Sequence, residues 1–289
     1  MRSIIITGGT GSFGRAYTRH LLDNTDCARI VIFSRSEHAQ AQMAREFGTD
    51  RCRYFIGDVR DRVRLRRAFD GCEVVVHAAA LKRIEVGEYN PQEMVKTNVL
   101  GTMNVVEAAQ DAGCDRVVGI SSDKAWRPVS PYGYSKALAE AILLNANNTV
   151  DKDVGPKFSV VRYGNVAGSA GSVIPKWREI LARNPHAELE ITDPECTRFW
   201  MLMEEAVALV HKAVMTSPRK LVVPKLPAFR VGDLAFALGG CRTRHTGLPA
   251  WEKRHEGMED GNTSDCAKRM SMEELKLALE NVARTRSTS

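Results

Sequence analysis

Short β-branched runs and amphipathic stretches alternate along the first half of the chain. Continuous apolar runs predict strands at Ser3–Thr7, Arg29–Ser34, Arg53–Ile56, Glu73–His77, Arg116–Ser121 and Phe158–Tyr163. Between them, apolar residues recur at helical spacing around 12–23, 36–47, 61–69, 91–112 and 132–147. Strands alternating with helices of that length imply βαβ units, and so a parallel sheet covered on both faces. Right-handed crossovers then make the expected fold class α/β, a doubly wound parallel sheet. Past residue 168 the alternation loosens. Helices are expected near 175–183, 203–216 and 231–239, with short strands near 187–191 and 220–223. Ser271 and Glu274 have capping-box spacing for a last helix through Ala283, after which the tail 284–289 is expected to fray. The polar stretch 241–268 follows neither period. The expected division is a dinucleotide-binding domain over 1–168 and a smaller substrate lobe over 169–289, with the chain interleaving between them.

Composition narrows the class without naming a chemistry. At 289 residues, 44% hydrophobic and 26% charged, the chain can bury a core without metal or disulfide staples and is neither disordered nor fibrous. Its net charge of +6 favours anionic partners only weakly. Cys27, Cys52, Cys72, Cys114, Cys196, Cys241 and Cys266 form no C-x-x-C pair, which reads as reduced thiols, not as a metal site. No run approaches the roughly 20 apolar residues of a membrane span, and Ile4–Ile6 is too short for a signal peptide. A cytoplasmic protein with no membrane or nucleic-acid partner is the expectation. The five arginines in Arg60–Arg67, interleaved with Asp61, Val63 and Leu65, read as a solvated helix face. His77, ending a buried strand, reads as a packed, hydrogen-bonded residue.

Two segments carry chemistry. Thr7–Gly14 follows the first strand, opens the first helix and satisfies G-x-G-x-x-G with Gly9, Gly11 and Gly14. Small residues there let the backbone approach a pyrophosphate at a helix N-terminus, which makes Gly8, Gly11, Ser12, Phe13 and Gly14 candidate cofactor contacts. The second strand ends in Ser34-Arg35 with no acid before Glu37, so a guanidinium and a hydroxyl face the position of a ribose 2′-phosphate; NADP is preferred over NAD. Asp58, with Val59 after it, suits the adenine side. The second segment is Ser121-Ser122-Asp123-Lys124 at the end of the fifth strand, followed by Tyr132 and Lys136. Spacing of four puts Tyr132 and Lys136 on one helix face, where the ammonium is expected to lower the phenol pKa and make Tyr132 a base.

Over most of its length the sequence resembles the extended short-chain dehydrogenase/reductases. Within them it is most similar to the inverting UDP-N-acetylglucosamine 4,6-dehydratases of the flagellin-glycan (pseudaminic acid) branch of the polysaccharide biosynthesis family. The segments that carry this are TGGTGSFG (7–14), FSRSE (33–37), FIGDVRD (55–61), HAAALK (77–82), KTNVLGTMNV (96–105), SSDKA (121–125), YGYSK (132–136), RYGNVAGSAGSVIP (162–175) and TRFWM (197–201). The resemblance implies tightly bound NADP and a UDP-sugar substrate in a homo-oligomer. It implies that Tyr132 takes the proton of the sugar 4-hydroxyl while Lys136 holds the cofactor ribose. Lys124 would abstract the C5 proton, Asp123 would protonate the departing 6-hydroxyl, and Ser122 would stand beside them. Ala78, Ala80 and Lys82 would line the cofactor and cleft; Lys82, Asn165, Arg198 and Glu256 would contact the substrate, Arg198 at its pyrophosphate.

Departures from the family pattern fall on substrate-binding segments. Gly168-Ser169-Ala170-Gly171 lacks a usual Arg, and Pro249–Glu256 stands where R-P-G-E-K-L-H-E is usual, keeping Glu252, Lys253, His255 and Glu256. The chain is also shorter than usual for the family, which points to an altered substrate lobe. A nucleotide-sugar 4-epimerase, needing Tyr132 and Lys136 but no elimination pair, and a non-catalytic NADP-sensing protein are the rival readings.

Overall fold

Ile4, Ile5 and Ile6 are all fully buried, which requires protein on both faces of their strand. The computed structural model describes residues 1–289 apart from 152, 153, 170, 241, 288 and 289. The first six strands are β1 (Ser3–Thr7), β2 (Arg29–Ser34), β3 (Cys52–Ile56), β4 (Val74–His77), β5 (Arg116–Ser122) and β6 (Lys157–Tyr163). Among them run α1 (Ser12–Asn24), α2 (Glu37–Phe47), α3 (Arg62–Phe69), α4 (Ile84–Tyr89), α5 (Pro91–Met94), α6 (Gly101–Asp111) and α7 (Pro131–Asn145). The later elements are β7 (Asn165–Val166), α8 (Val173–Arg183), β8 (Glu188–Ile191), β9 (Thr197–Met201), α9 (Met203–Thr216), β10 (Leu221–Val222), β11 (Ala228–Arg230), α10 (Val231–Ala237), β12 (Arg242–His245), β13 (Gly257–Glu259), β14 (Asn262–Thr263) and α11 (Met272–Ser287).

The central sheet runs β10-β6-β5-β4-β1-β2-β3, every neighbouring pair parallel. Alternation along the strands divides the core. Ile4, Ile6, Ile30, Ile32, Val74 and Val76 pack with Tyr17 and Leu21 of α1 and Val207 and Val210 of α9. Ile5, Val31, Val75, Val117 and Val160 face the other way, onto Leu65, Phe69, Val105 and Leu143. Order reverses between β1 and β4, so the loops after these strands diverge and open a crevice at their carboxyl ends. Past β6 the chain builds a second layer of β11-β9-β7, β12 paired with β8, and α8, α10 and α11. Trp177, Leu189, Trp200, Phe229 and Leu275 form its core. α9 and β10 belong to the central sheet layer.

Two departures from the expected pattern shape the site. The single helix expected over 91–112 is interrupted by a π-helical turn at Val95–Leu100, between α5 and α6. The Asn98 side chain there accepts from Leu81 N at 2.8 Å and donates to Leu81 O at 2.9 Å and Ser135 Oγ at 2.9 Å. One side chain thereby joins the loop after β4 to α7. The stretch 241–268, which follows no period, forms β12, a strap over 249–256 and the β13–β14 hairpin. Long-range bonds hold the strap: Thr197 N donates to Arg254 O at 3.0 Å, and Ser264 N to Glu256 O at 2.8 Å.

Other expectations match their positions. Ser271 N donates to Glu274 Oε2 at 2.8 Å and Glu274 N to Ser271 Oγ at 3.1 Å, a capping box. The helix it starts runs on to Ser287, past the expected end at Ala283; of the expected fraying tail, the side chains of 284–287 and the whole of 288 and 289 fall outside the described residues. Arg60, Arg62 and Arg66 lie on the surface and pair with Glu93, Glu107 and Asp111. His77 bonds to Thr7 Oγ1 at 2.8 Å and Thr102 Oγ1 at 3.1 Å. The described cysteines are free thiols; Cys241 lies outside the described residues. No described helix is long and apolar enough to cross a membrane.

Candidate active site

A cleft of about 1260 Å³ opens over the carboxyl ends of β1, β4 and β5 and under the second layer, and every candidate site residue lines it. Its floor is the glycine loop. Gly8 has a left-handed φ of +69°, and a Cβ there would stand 2.8 Å from the Ala79 backbone. A Cβ on Gly14 would stand 2.4 Å from Gly9 O. Gly11 caps α1 without a side chain, and the first turn holds no acid, so the helix N-terminus meets the cleft with main-chain donors and no competing charge. This cradle fits a dinucleotide pyrophosphate. At the adjoining strand ends, Ser34 Oγ accepts from Gln40 Nε2 at 3.0 Å, and the exposed Arg35 guanidinium stands 4.0 Å from Asp58 Oδ2. Asp58 in turn holds Arg60 at 2.7 Å. Val59, Ala78 and Ala80 continue the wall, and Lys82 stands exposed at its rim, its ammonium pulled below its usual range by desolvation and by Arg83.

Beyond β5 a single 3₁₀ turn, Asp123–Ala125, faces the first turn of α7. Only glycine at 133 permits their approach, since a Cβ would lie 2.6 Å from Lys124 O. Ser130 caps α7 by accepting from Gly133 N at 3.2 Å, which brings Tyr132 alongside the turn. Ser122 Oγ donates to Asp123 Oδ1 at 2.8 Å and accepts from Lys124 N at 3.3 Å. Lys124 Nζ donates to Asp123 Oδ1 at 3.1 Å and lies 3.4 Å from Glu256 Oε1. Asp123 is fully buried, and its Oδ2 has no hydrogen-bond partner among the described residues.

The electrostatics correct one expectation. Burial pushes the Tyr132 phenol up, and what opposes it is the Lys124 ammonium first and the nearby Ser122 side chain second, not Lys136. Lys136 Nζ donates to Ile120 O at 2.6 Å; burial pulls it down to about 8 against Glu140. Burial would also lower Lys124, but Asp123 and Glu256 outweigh it and hold the ammonium above its usual range. Lys124 therefore rests charged, and acting as a base requires that it first pass on a proton.

Arg198 and Glu256 are also placed differently from simple substrate ligands. Arg198 is buried; it donates to Thr197 O at 2.7 Å and Arg254 O at 3.0 Å, and pairs with Glu252. Glu256 is 2% exposed and sits between Lys124 and Lys253, the latter at 2.7 Å. Asn165, by contrast, is exposed on β7 and faces the cleft. Sequence reasoning notes that Glu252 and Lys253 survive but assigns them no role, and it misses Asn98. A 127-residue separation, as between Lys253 Nζ and Trp126 O at 2.8 Å, leaves no local signal.

Residues 4–277 match a family described as polysaccharide biosynthesis protein. The chain belongs to that family. A UDP-N-acetylglucosamine 4,6-dehydratase (inverting) of Campylobacter jejuni subsp. jejuni (strain 81-176) is 41% identical over 265 residues, 91% of this chain and 79% of the relative. A UDP-glucose 4-epimerase of Rickettsia bellii (strain RML369-C) is 39% identical, covering 89% of this chain and 77% of the relative. The X-ray structure of Pen from Bacillus thuringiensis superposes with a TM-score of 0.92 at 29% identity over 98% of both chains. The dTDP-glucose 4,6-dehydratase DesIV from Streptomyces venezuelae, with NAD and TYD bound, superposes with a TM-score of 0.81. It covers 99% of this chain and 98% of its own at 19% identity, a likeness of fold alone.

Proposed function

We propose that this protein is a UDP-N-acetylglucosamine 4,6-dehydratase that uses NADP and inverts C5. The observation that carries the reading is the Asp123–Lys124 pair beside Tyr132, with Asp123 buried, 3.1 Å between charged atoms and inside the cleft. A 4-epimerase needs the tyrosine and a dinucleotide but has no step that requires a second acid and base. The pair therefore favours the dehydratase over the epimerase named among the relatives.

The glycine loop holds the dinucleotide pyrophosphate, Ser34 and Arg35 the ribose 2′-phosphate, Asp58 and Val59 the adenine side, and Tyr132 and Lys136 the nicotinamide ribose. When bound, the dinucleotide supplies the hydride acceptor and donor that oxidation at C4 and reduction at C6 require. Tyr132, with Lys124 and Ser122 offsetting its burial, takes the proton of the sugar 4-hydroxyl. A ketone at C4 acidifies the C5 proton. Lys124 passes its ammonium proton to Asp123 across 3.1 Å, creating an amine and a carboxylic acid together. The amine takes the C5 proton, the C5–H pair becomes the C5–C6 double bond, and the C6 oxygen leaves as water with the Asp123 proton. A proton from water on the face opposite Lys124 then adds to C5, which gives inversion, while the proton taken by Lys124 is lost to solvent.

The second layer, with Trp177, Phe229 and Asn165 in the cleft wall, is read as the substrate lobe. Exposed Leu100 and Met103, together with Tyr134 and Leu138 of α7, support homo-oligomerisation, and free thiols support a cytoplasmic setting. Sedimentation should then return a mass above that of one chain. The activity itself is tested by incubating the protein with UDP-N-acetylglucosamine. Loss of one water with no net change in the dinucleotide is expected, and a product of unchanged mass contradicts the reading.

A further inference from the structure

Both carboxylate oxygens of Glu256 lie against lysine ammoniums, and Oε2 makes no aligned hydrogen bond among the described residues. Oε1 lies 3.4 Å from Lys124 Nζ and Oε2 lies 2.7 Å from Lys253 Nζ. Its backbone is fixed as well: N donates to Ser264 Oγ at 2.9 Å and O accepts from Ser264 N at 2.8 Å. Lys253 is tied in turn, donating to Trp126 O at 2.8 Å just past the catalytic turn. The strap thus delivers a second carboxylate to Lys124 besides Asp123.

We propose that Glu256 is a positioning residue for the elimination step: fixed by the strap, it holds the Lys124 side chain, together with Asp123, where its nitrogen can take the C5 proton. The inference rests on the dehydratase reading above and extends it to the strap. In this step the N–H bond forms as C5–H breaks. The freed pair becomes the C5–C6 bond while C6–O breaks, and the oxygen takes the Asp123 proton; nothing is oxidised or reduced. A fixed carboxylate that keeps a base in place is one part of what the aspartate does in a Ser-His-Asp triad. Here the surroundings are consistent with that part. Lys124 is faced by Asp123 on its own turn, Tyr132 on α7, Arg198 on β9 and Glu256 on the strap. Glu252 offsets Arg198 and Lys253 pairs with Glu256, so the carboxylate is buried yet matched. Lys124, Lys253 and Arg198 together hold the Glu256 carboxyl well below its usual range in spite of burial, so it stays ionised.

The test compares wild type, Glu256→Gln and Glu256→Asp as full-length proteins carrying bound dinucleotide, at saturating UDP-N-acetylglucosamine. If Glu256 positions Lys124, oxidation at C4 is no slower in Glu256→Gln than in wild type, since the substitution removes one of the charges that push the Tyr132 phenol up. Elimination slows by on the order of tenfold to a hundredfold, so reduced dinucleotide accumulates and its absorbance persists. KM stays unchanged, and Glu256→Asp, which keeps the charge, restores part of the elimination rate. A raised KM with unchanged kcat would make Glu256 a substrate ligand and overturn the inference. A parallel fall of both phases without accumulation, or Glu256→Asp no better than Glu256→Gln, overturns it also. A wild-type protein that removes no water refutes the dehydratase reading itself and takes this inference with it.

Discussion

Lys124 is the cation that works against burial at the Tyr132 phenol. Its ammonium makes the phenolate easier to form, so the two residues are coupled in the first half-reaction as well as consecutive in the proposed sequence. Replacing Lys124 by Met leaves the phenol pushed up by burial with less to oppose it. The pH-dependent rise in C4 oxidation should then move to more alkaline pH. Near neutral pH the rate should fall on the order of tenfold for each pH unit of that displacement. Single-turnover formation of reduced dinucleotide across the neutral and alkaline range reads this directly. An unmoved profile would show that the two residues are not coupled.

The same helix carries a buried pair with a structural role. Glu140 on α7 is bonded to Arg162 on β6, with Nε donating at 2.9 Å, and Arg162 also reaches Met258 O and lies 5.8 Å from the Trp126 ring. Glu140→Leu should destabilise the protein by roughly 3–5 kcal/mol, because it leaves a buried guanidinium unpaired. The double replacement Glu140→Leu with Arg162→Met should recover most of that loss in urea denaturation. Equal destabilisation of the single and double variants would contradict the account.

His77 gives the fold an acid-sensitive point. Burial, with Lys136 adding to it, pushes the imidazole down to about 3 from an ordinary value near 6.5. The unfolded chain therefore binds the extra proton first. Stability from this group is complete above about pH 6.5 and is lost as the pH falls toward 3. At pH 4 the linkage amounts to about 3 kcal/mol. Thermal melts of wild type and His77→Asn from about pH 7.5 to about pH 4 should converge as the pH drops, since the variant lacks the titrating ring. Parallel curves would exclude His77 as the source.

Much of the fold and of the site is legible in the sequence, for physical reasons. Ile4–Ile6 and Val74–Val76 are unbroken apolar runs because their strands are covered on both faces, and the glycine loop follows from the close approach at Gly8 and Gly14. Asp123, Lys124 and Tyr132 stand out because they are near one another in sequence at a strand end. Glu256 reads as a substrate ligand because Lys124, the partner that gives it another place in the site, is distant in sequence. The π turn at Val95–Leu100 escapes for another reason. A wider turn leaves the apolar spacing nearly intact, and what it accomplishes is done by the polar Asn98.

The glycine loop permits a controlled comparison. A Cβ at Gly14 would stand 2.4 Å from Gly9 O, so Gly14→Ala must displace the turn that forms the cradle. Dinucleotide affinity should fall by at least about tenfold, or 1.4 kcal/mol. Gly48 is also left-handed, at φ +53°, but nothing lies within 4 Å of the place a methyl would occupy, and it caps α2 far from the cleft. Gly48→Ala should cost about 1 kcal/mol of stability and leave affinity unchanged. Titration of NADP followed by fluorescence checks both variants; equal affinities for wild type and Gly14→Ala would reject the cradle.

The most direct test of the central claim is the fate of UDP-N-acetylglucosamine in D₂O, followed by NMR. Dehydration through Tyr132, Lys124 and Asp123 predicts a 4-keto-6-deoxy sugar with deuterium at C5 and the C5 configuration inverted. A product that keeps its 6-hydroxyl, carries no deuterium at C5 and differs only in configuration at C4 would contradict it.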